Sequence, residues 1–186
     1  KTFAAALNFA PHTAGHMAPE VLHLGLHADG WRRTDAARLC GYEDPIYLTW
    51  GRTTIAHNTV TVDETPMFPY DFDTESIWEC DHWRDRISDS RLALFQADAA
   101  FKAMRATNDR VYEGVTLDRT VVLTNRFVID AFRVIGRKTH RYDWAVHGVG
   151  EVQAPVDTEP CRLGTGLGYR HLIDIRRFRK PAGQVA

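Results

Sequence analysis

Residues 21–28 read Val-Leu-His-Leu-Gly-Leu-His-Ala, and their alternation decides the fold class. Leu22, Leu24 and Leu26 fall on one side of an extended chain, while His23, Gly25 and His27 fall on the other. Period two marks a strand with one buried face. Asp29-Gly30 follows, a pair suited to a tight turn. Working outward, residues 2–9 form an apolar run closed by Pro11, and residues 59–63 (TVTVD) alternate with Val60 and Val62 on one side. Residues 91–97 read as a strand. Residues 111–116, 118–124 and 126–130 read as a meander broken at Leu117-Asp118 and Thr124-Asn125, and residues 142–147 and 170–176 complete the strands. Helical periodicity is weak, with one short helix over residues 97–105. Residues 64–76, with two prolines, and residues 154–167 read as loops. Many short strands separated by turns predict an all-β fold, an antiparallel β-sandwich. One domain is expected over residues 1–179, with residues 180–186 as a tail.

Composition narrows the function classes. The 186 residues are 44% hydrophobic and 25% charged, enough to bury a core, and the formal net charge is -1. That balance lacks the basic footprint of a nucleic-acid binder but leaves room for a local basic pocket. Cys40, Cys80 and Cys161 are odd in number and far apart, which gives neither a CxxC metal pair nor a disulfide framework. No run of 18 apolar residues marks a membrane span. The chain starts at Lys1-Thr2-Phe3 with no Met and no signal peptide, so it is expected to be a processed or cut piece.

The chemistry-bearing residues crowd into the first 60: His12, His16, His23, His27, Asp35, Tyr42, Arg52, His57 and Asn58. Histidine serves as acid, base or metal ligand near neutral pH. His23 and His27 fall on the polar face of a regular strand, where structural or solvated roles are the rule. His16 sits in a Gly-containing loop that leads into a strand, a position that often displays functional groups. His57-Asn58 runs directly into the TVTVD strand, and Arg52 precedes it in a polar loop. A fixed guanidinium can hold a sugar carboxylate by two hydrogen bonds, or it can simply be a surface arginine.

In order along the chain, GHMAPEVLHLGLHADGWRRTDAA (15–37), GYEDPIYLTWGRTTIAHNTVTVDE (41–64), HRYDWAVHGVGE (140–151) and LGYRHLIDIRR (167–177) resemble the heparinase II/III family of polysaccharide lyases. The resemblance covers nearly all of residues 1–179, and residues 55–63 are its most specific block. It implies a C-terminal β-sandwich that, in the parent, follows an α/α toroid. The implied activity is β-elimination on a uronic-acid polysaccharide of glycosaminoglycan or alginate type, in a periplasmic or secreted setting. It places His16 on the family's catalytic histidine, and Asp35 and His57 on ligands of a structural metal, usually zinc. Here the chain departs from the pattern. The second histidine of the family's Gly-His-x-His-x-Asp motif, a metal ligand, falls on Ala18, and the following acid is Glu20. Asp35 and His57 alone leave zinc short of its usual three or four protein ligands, unless His12 or His23 substitutes.

In β-elimination the carbon beside a carboxylate loses a proton, so the developing charge must be stabilised and a base and an acid supplied. His16 and Arg52 suit the first task. Arg52, Asn58 and Tyr42 are the candidate substrate contacts. The remaining acid–base groups are expected from the toroid, so residues 1–186 alone are expected to show little or no activity. The alternative is a non-catalytic carbohydrate-binding or structural sandwich, which Ala18 favours. A cupin-like oxidoreductase ranks below both because it wants a His-x-His pair that this chain lacks.

Overall fold

The computed structural model describes residues 3–9, 18–28, 31–32, 41, 43–67, 90–99, 101–148, 151 and 157–179. Strands dominate, and every pairing among them is antiparallel. In chain order they are β1 (Phe3–Leu7), β2 (Leu24–Ala28), β3 (Trp31–Arg32), β4 (Val60–Val62), β5 (Arg91–Ala97), β6 (Lys102–Asn108), β7 (Val115–Leu123), β8 (Val128–Gly136), β9 (Tyr142–Trp144), β10 (Thr158–Pro160) and β11 (Arg176–Phe178). They form a three-stranded sheet β1-β2-β3, a four-stranded sheet β5-β6-β7-β8, and the pairs β4-β9 and β10-β11. The expected all-β class therefore holds.

The inner face of β7 shows why the layers close. Val115, Leu117, Arg119, Val121 and Leu123 alternate on the buried side of the strand. Val115 and Leu117 join Leu7 of β1, Val60 and Val62 of β4, Ala106 of β6, and Val21, Leu22, Met67 and Val111 in one buried apolar cluster. Burying such side chains supplies roughly 1.5–3 kcal/mol each. β8 repeats the alternation, with Phe132 and Val134 packed on the core and Ile129 and Ile135 facing outward.

Four expectations need correction. The helix over residues 97–105 is replaced by strand β6. Its Ala, Lys, Met and Arg are good helix formers, but pairing with β5 on one side and β7 on the other overrides that preference. The break at Leu117-Asp118 does not exist, because β7 runs through it. Asp118 is held in the strand by Arg105, at 2.8 and 2.7 Å, and by Arg133 at 3.0 Å. Those guanidinium hydrogen bonds, Arg105 first, hold its carboxyl below the usual carboxylate range. The strand over residues 170–176 is instead a 3-10 turn, Tyr169–His171, followed by β11. The expected 154–167 loop contains β10.

β5 lies at the edge of its sheet, and its pairing with β6 slips between Leu92 and Leu94, a β-bulge. At the other end of the core, Asp63 and Glu64 both take positive φ, 51° and 58°, and Thr65 N–H donates to Val62 C=O at 2.9 Å. That is the two-residue hairpin turn that reverses the chain after β4. Glu64 is then gripped by Arg141 and by the amide of Gly166, at 3.2 Å. A side chain at residue 164 would overlap the Glu64 carboxylate. Gly168, at φ 91°, presses against residues 53–55, where a Cβ would meet Ile55 Cγ2 and Thr53 Oγ1 at 2.5 Å. The glycine loop thus fastens the segment that carries the candidate site. Gly168→Ala is expected to cost about 2–3 kcal/mol in urea unfolding, combining positive-φ strain with overpacking. A loss below about 0.5 kcal/mol would show that the loop is not a fastener.

Candidate metal centre

A tight turn at residues 20–23 precedes β2. His23 N–H donates to Glu20 C=O at 2.9 Å, and Leu22 sits at φ 57° with its side chain fully buried. A turn with positive φ at its third position normally recruits glycine, so Leu22 costs about 1 kcal/mol or more of backbone strain. The end of β1 braces it: Leu22 N–H donates to Asn8 C=O and Asn8 N–H to His23 C=O, at 2.8 and 2.9 Å. Glu20 and His23 therefore stand at the two ends of one turn, side by side.

The third member arrives from residues 47–59. A π-helical turn, Tyr47–Gly51, and a 3-10 turn, Thr54–Ala56, lead to His57. His57 Nε2 lies 3.2 Å from the Gly51 carbonyl oxygen. A carbonyl only accepts, so Nε2 carries the hydrogen and Nδ1 is turned to Glu20 Oε2, 3.1 Å away. A lone pair facing a carboxylate needs a proton or a cation between them. His23 Nδ1 is 3.9 Å from the same oxygen, and the two imidazoles meet edge to face at 5.7 Å. All three side chains are buried, and their donor atoms lie within 4.8 Å of one another, a group that could hold a metal ion. Two nitrogens and one oxygen suit a divalent transition metal at ligand distances of about 2.0–2.2 Å. Glu20 and His57 fit as they stand. His23 Nδ1 accepts the Asn58 amide at 3.0 Å, so ligation through that nitrogen would exchange the bond for the ion.

This set differs from the one the sequence suggested. His57 is common to both. Ala18 is half-buried and contributes a backbone carbonyl to Glu20 N–H at 2.8 Å, while Asp35, His16, Tyr42 and His12 lie outside the described residues. His23, assigned to a polar strand face, is buried just ahead of β2, whereas His27 is exposed as expected. Arg52 is buried. Its Nη1 donates to the Tyr47 hydroxyl at 3.2 Å, and its guanidinium lies 5.8 Å from that ring's centre. Asn58 is buried with every polar group engaged. Its amide N–H meets His23, its carbonyl accepts from Arg119, its Nδ2 donates to Leu24 C=O at 2.9 Å, and its Oδ1 accepts the His147 amide at 2.6 Å. Arg52 and Asn58 thus serve as struts of this segment. Around them Trp50 meets His147 and His171 edge on, at 5.6 and 6.1 Å.

From the sequence, His23 stands only as a substitute ligand, and Glu20 as a ligand and Arg119 as a brace are missed. Glu20 and His23 carried a signal, an acid and a histidine three apart flanking a tight turn. Arg119 carried another, a charge on the inward register of an apolar strand with Asp130 two registers along on β8.

The sequence profile of the heparinase II/III-like C-terminal family matches residues 39–186. This chain belongs to that family. A Stenotrophomonas maltophilia protein named alginate lyase is 32% identical to it over 162 residues, covering 75% of this chain and 19% of that protein. The crystal structure of heparan sulfate lyase HepC from Pedobacter heparinus superposes with a TM-score of 0.56 at 21% identity, over 74% of this chain and 20% of HepC. A HepC mutant structure gives 0.54 at 22% identity over the same shares. These structural likenesses establish the β fold of this heparinase II/III-like chain, which spans about a fifth of the length of the relatives it matches.

Asn58→Ala would remove the side-chain hydrogen bonds to the His147 amide and the Leu24 carbonyl. It is expected to lower stability by about 2–3 kcal/mol in denaturant melts. A stability change near zero, with carbohydrate affinity lost, would return Asn58 to the role of substrate contact.

Proposed function

We propose that this chain forms the sandwich wall of a polysaccharide lyase that cleaves a uronic-acid polymer by β-elimination, with Glu20, His23 and His57 holding zinc beneath that wall. The observation that carries the lyase assignment is the 32% identity to the protein named alginate lyase. HepC, named for heparan sulfate, shares the fold, and both names point to an acidic polysaccharide. The groups that complete the cleft belong to the rest of such a lyase, in this family a helical toroid.

Zinc is supported by the donor set, two imidazoles and a carboxylate. Such an ion, when bound, supplies a fixed positive charge and a cross-link between chain segments. Glu20, His23 and His57 are nearly closed to solvent, so their task is to tie the 20–23 turn to the 57–59 segment. His57 donates its other ring hydrogen to Gly51 C=O, the arrangement that fixes a metal-binding imidazole. By the family resemblance, His16 is assigned to neutralise the uronate or to move a proton, and Tyr42 to contact the sugar. Arg52 holds the Tyr47 hydroxyl, and Asn58 holds the His147 backbone. These two set the shape of the rim from behind it.

Two experiments test the halves separately. Elemental analysis of the purified chain is expected to give one zinc per molecule, absent from His57→Ala, and chelation should lower the melting temperature because the folded state alone binds the ion. A chain carrying no stoichiometric metal after zinc loading sinks the metal assignment. In the full-length parent, His16→Ala is expected to slow formation of unsaturated uronate, read by its ultraviolet absorbance, by about 10²–10⁴-fold. Unchanged turnover would instead make this a non-catalytic carbohydrate-binding or structural domain.

A further inference from the structure

Arg119 lies on the inward face of β7, and its side chain is fully buried. Its Nε and Nη2 donate to both oxygens of Asp130 on β8, at 2.9 and 2.6 Å. Its Nη1 donates to two backbone carbonyls on the facing layer, Leu22 at 2.7 Å and Asn58 at 2.5 Å. One face of the guanidinium lies 4.7 Å from the centre of the Phe132 ring. Small Ala106, its partner in register on β6, leaves the space.

The two carbonyls are the informative part. Leu22 immediately precedes His23, and Asn58 immediately follows His57. Leu22 is also the positive-φ residue of the turn that sets Glu20 beside His23. One nitrogen therefore gauges the distance between the backbones that carry both histidines, and Asp130 fixes that nitrogen in the sheet. Lysine could not do the same, because an ammonium is a point charge without the planar fork that serves a carboxylate and two carbonyls together.

We propose that Arg119 is a positioning residue for the Glu20–His23–His57 centre, setting the separation of its two histidines from the opposite sheet. This rests on the metal assignment above. The effect has a natural comparator in a second ion pair of the same sheet, which joins β6 to β7. Arg105 and Asp118 are joined by equally short bonds, but strand alternation puts Asp118 on the other face of β7.

The test uses the full chain in four forms: wild type, Arg119→Lys, Asp130→Asn and Arg105→Lys. Zinc affinity is read by competition with a chromophoric chelator, the bound geometry by the visible absorption of Co²⁺ at the site, and the metal-free centre by the ring ¹⁵N resonances of His23 and His57. Arg119→Lys is expected to weaken zinc by about 10–100-fold, the range for residues that orient ligands. It should also change the Co²⁺ spectrum and shift both sets of ring resonances. Asp130→Asn, which keeps the guanidinium but loosens its anchor, should fall between and serves if Arg119→Lys does not fold. Arg105→Lys should leave all three readouts at wild-type values. Wild-type affinity, spectrum and ring resonances in a folded Arg119→Lys or Asp130→Asn protein would overturn the proposal. If the wild type binds neither ion, the metal assignment fails, and the ring resonances still decide whether Arg119 sets the histidines.

Discussion

The buried guanidinium of Arg119 is the constraint around which this molecule is arranged. Taking one ion out of water costs several kcal/mol, and the cost is offset only when geometry is good and each hydrogen finds an acceptor. Asp130 neutralises it from the adjacent strand, while Leu22 and Asn58 supply carbonyl acceptors from the other layer. The result is a polar bolt through an apolar sandwich. Apolar contacts tolerate sliding, but a set of short, directed bonds does not. The relative placement of the β7–β8 sheet and the two histidine-bearing segments follows from that difference.

Beyond the bolt, polar order spreads by backbone rather than by side-chain pairs. Asn58 joins four separate stretches of chain through its two amides, and His57 reaches Gly51 at the end of the π-helical turn. Thr59 Oγ1 donates to Val21 C=O at 2.7 Å, drawing the same two segments together once more. Side chains that a sequence reader would send to the substrate are occupied in holding the rim's shape. A wall that presents groups to a long polymer must first be stiff, and irregular segments such as 47–59 have no ladder of their own to make them so.

The strand-rich class was legible because the sequence alternates in β2 and in β4, although β4 is buried on both faces and β8 runs on to Gly136, past the 126–130 segment read as its strand. What escaped was tertiary in origin. β6 is written in helix-forming residues and becomes a strand because partners flank it on both sides. Asp118 looked like turn chemistry until Arg105 and Arg133 closed on it. At the candidate site, His57 was legible through the family's AHNTVTVD block. Glu20 was passed over, and His23 entered only as a substitute ligand, because their partnership is made by a positive φ at Leu22, a conformation that no leucine advertises. Arg119 sat 61 positions from Asn58, a separation at which local pattern says nothing.

The bulge between Leu92 and Leu94 bears on how this molecule keeps its own company. β5 forms the rim of the four-stranded sheet and displays Leu92, Leu94 and Phe95 at the surface. A straight, greasy border of that sort invites a neighbouring chain to zip on, the first step toward precipitation. The slipped register kinks the strand and breaks the even row of amides that an incoming strand would copy. A single extra residue thus acts as a guard against self-templating, sparing the surface from having to be polar.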